Sequence, residues 1–371
     1  MNKHCVRVLL GNFLIWMLGI HPVVAQDSFH VYAASRSTQE LLVIRAEFGD
    51  AGFELEMSER VSLGFAGATI CRHPKKAVLY IAPSKTKWDG SASITRGATV
   101  QLDESGSCDN VDTVALNHGY AYMSVDRTGK FLLGSNYHDG QLDVYRLGPD
   151  GLLFEHVVTV DEDRRNAHCI LTSPNNRFLY IPYVKQTNAL FQYTFDSETG
   201  QVSAMTPKNA GPPEGTGPRH IAYHPSLPLV YFSNEQHVGV SVYDQASTGQ
   251  LTFKQLCDVI PDRESKVGLS ASDIVITPQA KFLFSAIRGR RQNFDRVVGY
   301  RVQDDGTLSL LGFTETEGVP WGMTLSPCGR YLLVSCFEGE SLLAYEIAYD
   351  GSLRKVGRLQ LPRYISDLVT Y

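Results

Sequence analysis

The chain has 371 residues, with 34 Lys and Arg against 39 Asp and Glu for a formal charge of -5, and 43% hydrophobic and 20% charged residues. The apolar share excludes a disordered protein and the charged share excludes a membrane bundle; without a basic surplus, no nucleic-acid partner is expected. Such a length admits two or three domains or one large β architecture, and the order of elements along the chain has to decide.

The N-terminus carries Lys3 and Arg7, then an apolar run from Val8 to Ile20, then the small residues Val23, Val24 and Ala25. This is the pattern of an export signal cleaved after Ala25. The run is too short for the roughly 20 residues a membrane helix needs, so no stable membrane insertion is expected after cleavage, and the product is exported to the periplasm or outside. Cleavage removes two cations and no acid, which moves the formal charge from -5 to -7.

Beyond the leader the sequence repeats. The segments ATICRHPKKAVLYIAPS from Ala68, AYMSVDRTGKFLLGSNY from Ala121, HCILTSPNNRFLYIPYV from His168, RHIAYHPSLPLVYFSNE from Arg219, SDIVITPQAKFLFSAIR from Ser272 and WGMTLSPCGRYLLVSCF from Trp321 share one plan. Each is a strand, a turn rich in Pro, Gly or Asn, and a second strand of Phe, Leu, Val and Tyr. Two further strands follow, often joined by Asp-Gly or Thr-Gly. The starts at 68, 121, 168, 219, 272 and 321 are about 50 residues apart, and four strands at that period describe a β-propeller blade.

Six starts and the chain ends make seven blades. Residues 29–57 supply three strands without an inner one, and Tyr364 to Tyr371 form a lone strand one period after Trp321. The expected fold is an all-β, seven-bladed propeller over residues 26–371, with four-stranded antiparallel blades and blade one closed by the C-terminal strand, which removes a sheet edge. Cys71, Cys108, Cys169, Cys257, Cys328 and Cys336 have no metal-ligand or redox spacing and are expected to be buried free thiols.

In such a blade the inner strand lines the channel, and its start lies beside the end of the second strand. Ala68, Ala121, His168, Arg219, Ser272 and Trp321 should therefore ring one mouth, with Ser35, Ser84, Tyr137, Val184, Glu235, Arg288 and Phe337 in the adjoining ring. Blades three to six gather Asn136, Tyr137, His168, Arg219, His220, Glu235, Asp273 and Arg288 there. Symmetry about residues 227 and 280 predicts that Arg219 opposes Glu235 and Ser272 opposes Arg288. Such charges serve either as a site or as a satisfied rim ion pair, with Arg288 solvated near Arg290 and Arg291.

The run GPRHIAYHPSLPLVYFSNE, Gly217 to Glu235, closely resembles the G-P-R-H…H-P…Y…N-E signature of the lactonase family of seven-bladed propellers. That family includes propeller-type 6-phosphogluconolactonases and a fungal carboxymuconate lactonizing enzyme. Ser124 to Gly151 and Asn166 to Ile181 match further blade patterns, and the resemblance spans nearly all of residues 28–371. It implies that His168, Arg219, Glu235 and Arg288 occupy active-site positions. The chain departs from the family pattern in blade six, SAIRGRRQNFD, which lacks an Asn and a His, and in blade seven, where Phe337 stands where a polar group would contact ligand.

The implied chemistry is the opening of a sugar-type or other anionic lactone by water. Arg219 and Arg288 would bind the anion and the developing oxyanion, and His168 and Glu235 would act as acid and base. Asn136, Tyr137 and Asp273 would contact substrate, and His220, on the opposite strand face from Arg219, would support from behind. A cycloisomerase and a non-catalytic binding propeller are the alternatives. No cofactor is expected. Asn136, Glu235 and Asp273 suit calcium by type, but the neighbouring arginines repel a cation, so no metal is expected either. The expected partner is a small anionic lactone, and the expected state is a monomer.

Overall fold

The computed structural model describes residues 27–49, 52–84, 95–259, 266–289 and 294–371. The expected leader over residues 1–25 lies outside them, as do Arg290 and Arg291. Seven four-stranded antiparallel sheets surround one axis, each running from an inner strand outward. Blade one consists of Ile365–Thr370, Asp27–Ser35, Glu40–Gly49 and Gly52–Ser62. The inner strands of blades two to seven are Thr69–Arg72, Tyr122–Val125, Leu171–Thr172, Pro218–Tyr223, Ser270–Ile276 and Pro320–Leu325. Their second strands are Val78–Ala82, Phe131–Ser135, Phe178–Tyr183, Leu229–Asn234, Phe282–Arg288 and Tyr331–Cys336.

Burial follows from position in the blade. The second strands of blades two to seven are packed on both faces by the neighbouring blades and are buried throughout, whereas the outermost strands, such as Val202–Asn209, expose most of their length. The C-terminal strand closes the ring by pairing Val31 with Thr370 and Ala33 with Leu368. Phe29, Val31 and Leu42 of blade one then share a core with Tyr331, Leu333 and Leu342 of blade seven. Closure thus buries apolar surface as well as satisfying an edge.

Second-strand tyrosines tie neighbouring blades together. Tyr32 donates to the Gly106 carbonyl at 2.6 Å, Tyr180 to Gly249 at 2.5 Å and Tyr231 to Gly306 at 2.8 Å. Each acceptor sits in the outer turn of the next blade at positive φ. A Cβ on Gly249 would lie 2.2 Å from the Phe178 ring, so glycine is required there for space as well as conformation.

The predicted inner pairing needs one correction, and it concerns the mouth. In blade five Pro218 pairs with Asn234 and Ile221 with Phe232, leaving Arg219 and His220 in a bulge. In blade six Ser270, not Ser272, opposes Arg288, and the bulge holds Ser272 and Asp273. Blade seven bulges at Trp321 and Gly322, and blade one at the paired C-terminal residues Ser366 and Asp367. Each bulge breaks the alternation of faces, so both of its residues can approach the channel. The thiols also divide: Cys71, Cys169, Cys257 and Cys336 are buried and free, but Cys108 is half-buried and Cys328 exposed.

Candidate active site

The mouth opens into a cavity of about 370 Å³ whose lining includes Tyr137, His168, Arg219, His220, Glu235 and Arg288, six of the eight residues expected from the repeat map. Arg219, in its bulge, is 0% exposed, and its Nε donates to Glu235 Oε2 at 3.1 Å. The pair is made by side chains and not by strand register. Arg288 also reaches Glu235 Oε2, at 3.3 Å from its Nη2, and donates to the Ala271 carbonyl at 2.9 Å. It is buried, which excludes the alternative of a solvated rim arginine. The Arg288 guanidinium stands 4.4 Å and that of Arg219 5.8 Å from the ring centre of Trp321.

One carboxylate is thus clamped between two guanidiniums. Burial alone would raise the Glu235 carboxyl, but Arg288, Arg219 and Lys185 hold it below its usual range. It is an ionised anchor that fixes both arginines, and its second oxygen takes a hydrogen bond from Gln236 at 3.2 Å. Taking three ions out of water costs several kcal/mol each unless the geometry compensates. The compensation is partial, since Arg219 Nη1 has no hydrogen-bond partner among the described residues.

His168 faces this cluster. Its ring contacts Tyr137 at 5.5 Å and His220 at 5.1 Å between centres. Burial, then Arg219, His220 and Arg288, keep its pKa well below the ordinary histidine value, so the imidazole is neutral near pH 7. Its Nδ1 is buried without a hydrogen-bond partner among the described residues. An unpartnered imidazole nitrogen on a residue that lines the cavity is a candidate general base.

His220 lines the cavity itself and does not sit behind it; the bulge turns it inward. Its Nδ1 meets Asp273 Oδ1 at 2.8 Å, leaving Nε2 unpartnered among the described residues. Asp273 is therefore a support for His220, its other oxygen taking the Met323 amide at 2.7 Å. It does not line the cavity. Nor does Asn136, whose Oδ1 accepts the amides of His138 and Asp139 and shapes a turn. Among the described residues no group of three or more His, Cys, Asp or Glu is arranged to hold a metal ion.

Phe337 is buried and stacks on Trp321, with ring centres 4.4 Å apart, while Trp321 forms the lining. The aromatic departure of blade seven thus backs a wall instead of touching ligand. Five lining residues had no place in the map read from sequence, Arg36, His138, Lys185, Ser366 and Asp367, and Trp321 stood on the rim without a role. Arg36 and Lys185 each follow by one residue a position placed on the ring, Ser35 and Val184, so a one-residue allowance at strand ends would have found them.

The lactonase family model, described as a lactonase with a 7-bladed beta-propeller, matches residues 31–365. A 6-phosphogluconolactonase of Cronobacter sakazakii is 33% identical over 241 residues, 64% of this chain and 69% of that protein. One from Klebsiella pneumoniae is 31% identical over 258 residues, 69% of this chain and 75% of that protein. Among solved structures, a periplasmic gluconolactonase of Pseudomonas aeruginosa superposes with a TM-score of 0.78 at 20% identity, covering 92% of this chain and 99% of its own. A protein from Lactobacillus plantarum gives 0.76 at 19% identity, with 93% and 99% covered. Seven blades of four strands, the closing C-terminal strand and the family match over residues 31–365 together make the chain a member of the seven-bladed β-propeller lactonase family.

Proposed function

We propose that the protein is an exported lactone hydrolase acting on a sugar-type lactone that carries an anionic group, with residues 26–371 as its single catalytic domain. The observation that carries this is the mouth itself: a neutral, unpartnered His168 nitrogen facing two arginines that share one carboxylate, in a chain of the lactonase family. The relatives named as 6-phosphogluconolactonases support the reaction class. The leader pattern and the likeness to a periplasmic gluconolactonase support export.

His168 takes a proton from water as the water attacks the lactone carbonyl, and Arg219 Nη1 and Arg288 stabilise the oxyanion. Glu235 holds the arginines in place; as an ionised, doubly paired group it is a poor proton donor. His220, oriented by Asp273, and Tyr137 contact the substrate's polar groups. Arg36, Lys185, Arg219 and Arg288 line the cavity against two carboxyls, Glu235 and Asp367, which favours an anion on a protein of negative net charge.

Initial rates on 6-phosphogluconolactone, a carboxylated lactone and uncharged gluconolactone test this. The expected order places both anionic lactones at least about tenfold above the uncharged one in kcat/KM, which needs about 1.4 kcal/mol of preference. Equal rates overturn the anionic assignment. Cyclisation of a muconate without lactone hydrolysis overturns the hydrolase.

A further inference from the structure

The dipeptide Ser-Asp occurs at equivalent places in two blades: Ser272-Asp273 in the bulge of blade six and Ser366-Asp367 in the bulge of blade one, each followed by an apolar residue and Val. The two aspartates meet different fates. Asp273 is paired with His220 and does not line the cavity. Asp367 lines it and has no ion-pair partner within 4.0 Å among the described residues. Its Oδ2 accepts the Thr69 hydroxyl at 2.8 Å and the Ile70 amide at 3.0 Å, and its Oδ1 accepts only the adjoining Leu368 amide at 2.9 Å.

Opening a lactone needs more than a base and an oxyanion site. The ring oxygen leaves as an alkoxide, and an alcohol of high pKa is a poor leaving group unless protonated as the C–O bond breaks. Glu235, ionised between two arginines, does not supply that proton, which leaves the imidazolium formed on His168 or a separate carboxyl on the cavity as its source. Across the channel, in blade one, Asp367 offers a carboxyl on the same cavity. We propose that Asp367 is the general acid of the reaction, a catalytic residue that protonates the departing ring oxygen; this rests on the lactone-hydrolase function proposed above.

The step balances without a further reactant. Water oxygen bonds to the carbonyl carbon and its proton goes to His168 Nδ1; the ring C–O bond breaks and the ring oxygen takes the Asp367 proton. Solvent returns the His168 proton to Asp367, and the net change is lactone plus water to hydroxy acid. The surroundings keep the carboxyl protonated where it must be. Burial, with Asp273 adding repulsion, pushes Asp367 up to about 7 despite the hydrogen bonds from Ile70, Thr69 and Leu368. Arg36 faces it from the loop after Asp27–Ser35, Cys71 from blade two and Tyr122 from blade three. The inner strand of blade seven, Pro320–Leu325, brings no titratable side chain.

The test uses the purified full chain and two substrates, 6-phosphogluconolactone, whose leaving oxygen is an alcohol, and a carboxylated dihydrocoumarin, whose leaving oxygen is a phenol. Asp367→Asn should lower kcat on the first by about 100-fold or more and leave the second nearly unchanged, because a phenolate departs unprotonated. The alkaline limb of the wild-type kcat/KM profile, expected near pH 7 for the alcohol substrate, should vanish in this variant. Thr69→Val, outside the reacting groups, removes a bond that favours the ionised form and should move that limb to higher pH. Equal losses of Asp367→Asn on both substrates overturn the assignment; so does an unmoved limb in Thr69→Val, which decides the matter if Asp367→Asn does not fold. A wild-type chain that opens neither lactone overturns the hydrolase function instead, a result distinct from either variant outcome.

Discussion

Two buried polar networks in this propeller invite the same first guess and turn out differently. In blade three Asp143, its side chain 0% exposed, accepts from His118 at 2.6 Å and from Tyr120 at 2.7 Å, with Thr159 and His156 on its other oxygen. Tyr120 in turn meets Tyr145, which accepts the Asn117 amide. At the mouth, Glu235, two arginines and two histidines form a comparable set, yet His168 Nδ1, His220 Nε2 and Arg219 Nη1 are left without partners among the described residues. No buried side-chain atom of the blade-three cluster is left that way among the described residues. Burial, charge and histidine content are common to both; unpartnered polar atoms on residues that line a cavity are what set the mouth apart from the blade-three network.

Removing one member from each network should separate them. Arg219→Ala deletes the donor proposed to stabilise the oxyanion and is expected to lower kcat on an anionic lactone by about 10²–10³. Circular dichroism should still report the folded propeller, because the seven inter-blade cores do not use this side chain. Retained turnover would make the mouth a second strut. Asp143→Asn should act the other way, costing about 1.5–3 kcal/mol of stability through the lost charge-assisted hydrogen bonds while leaving kcat at 25 °C unchanged. A loss of activity in the folded Asp143→Asn protein would join the two networks into one.

The difference between the networks was only half legible in the sequence. The blade period and turn chemistry gave seven blades and the closing strand, because a period of about 50 residues with Asp-Gly and Thr-Gly turns has few other physical solutions. Position in the repeat then brought His168, Arg219, Glu235, Arg288 and Tyr137 to one cavity. It misplaced His220 and Asp273, since strict alternation assigns neighbours to opposite faces and a two-residue bulge cancels that rule without a signature of its own. Asn136 looked like a ligand contact because a turn-forming Asn and a binding Asn are the same letter. Asp367 was hidden by its place in the final strand, where it served only to count blades, although its resemblance to the Ser-Asp of blade six was readable.

The smallest expected effect probes how closed the blade-three network is. The hydrogen bond to Asp143 raises the His118 pKa above its ordinary value, against the pull of burial, so His118 contributes stability that is complete below about pH 6.5 and is lost as pH rises through the higher folded value. Asp143 has the opposite sense: burial would raise its carboxyl, but bonds from His118, Thr159 and Tyr120 hold it low. Its contribution is present above about pH 3.9 and is lost only as pH falls through the lower folded value. His118→Gln keeps a donor but not the charge, so the gap in Tm between wild type and variant should be widest near pH 5–6 and narrow steadily toward pH 9. Buried neutral histidines such as His168 and His220 shift both proteins alike and cancel in that difference. A gap that stays constant with pH would mean that His118 is held as a neutral donor, and that the two networks share uncharged histidines after all.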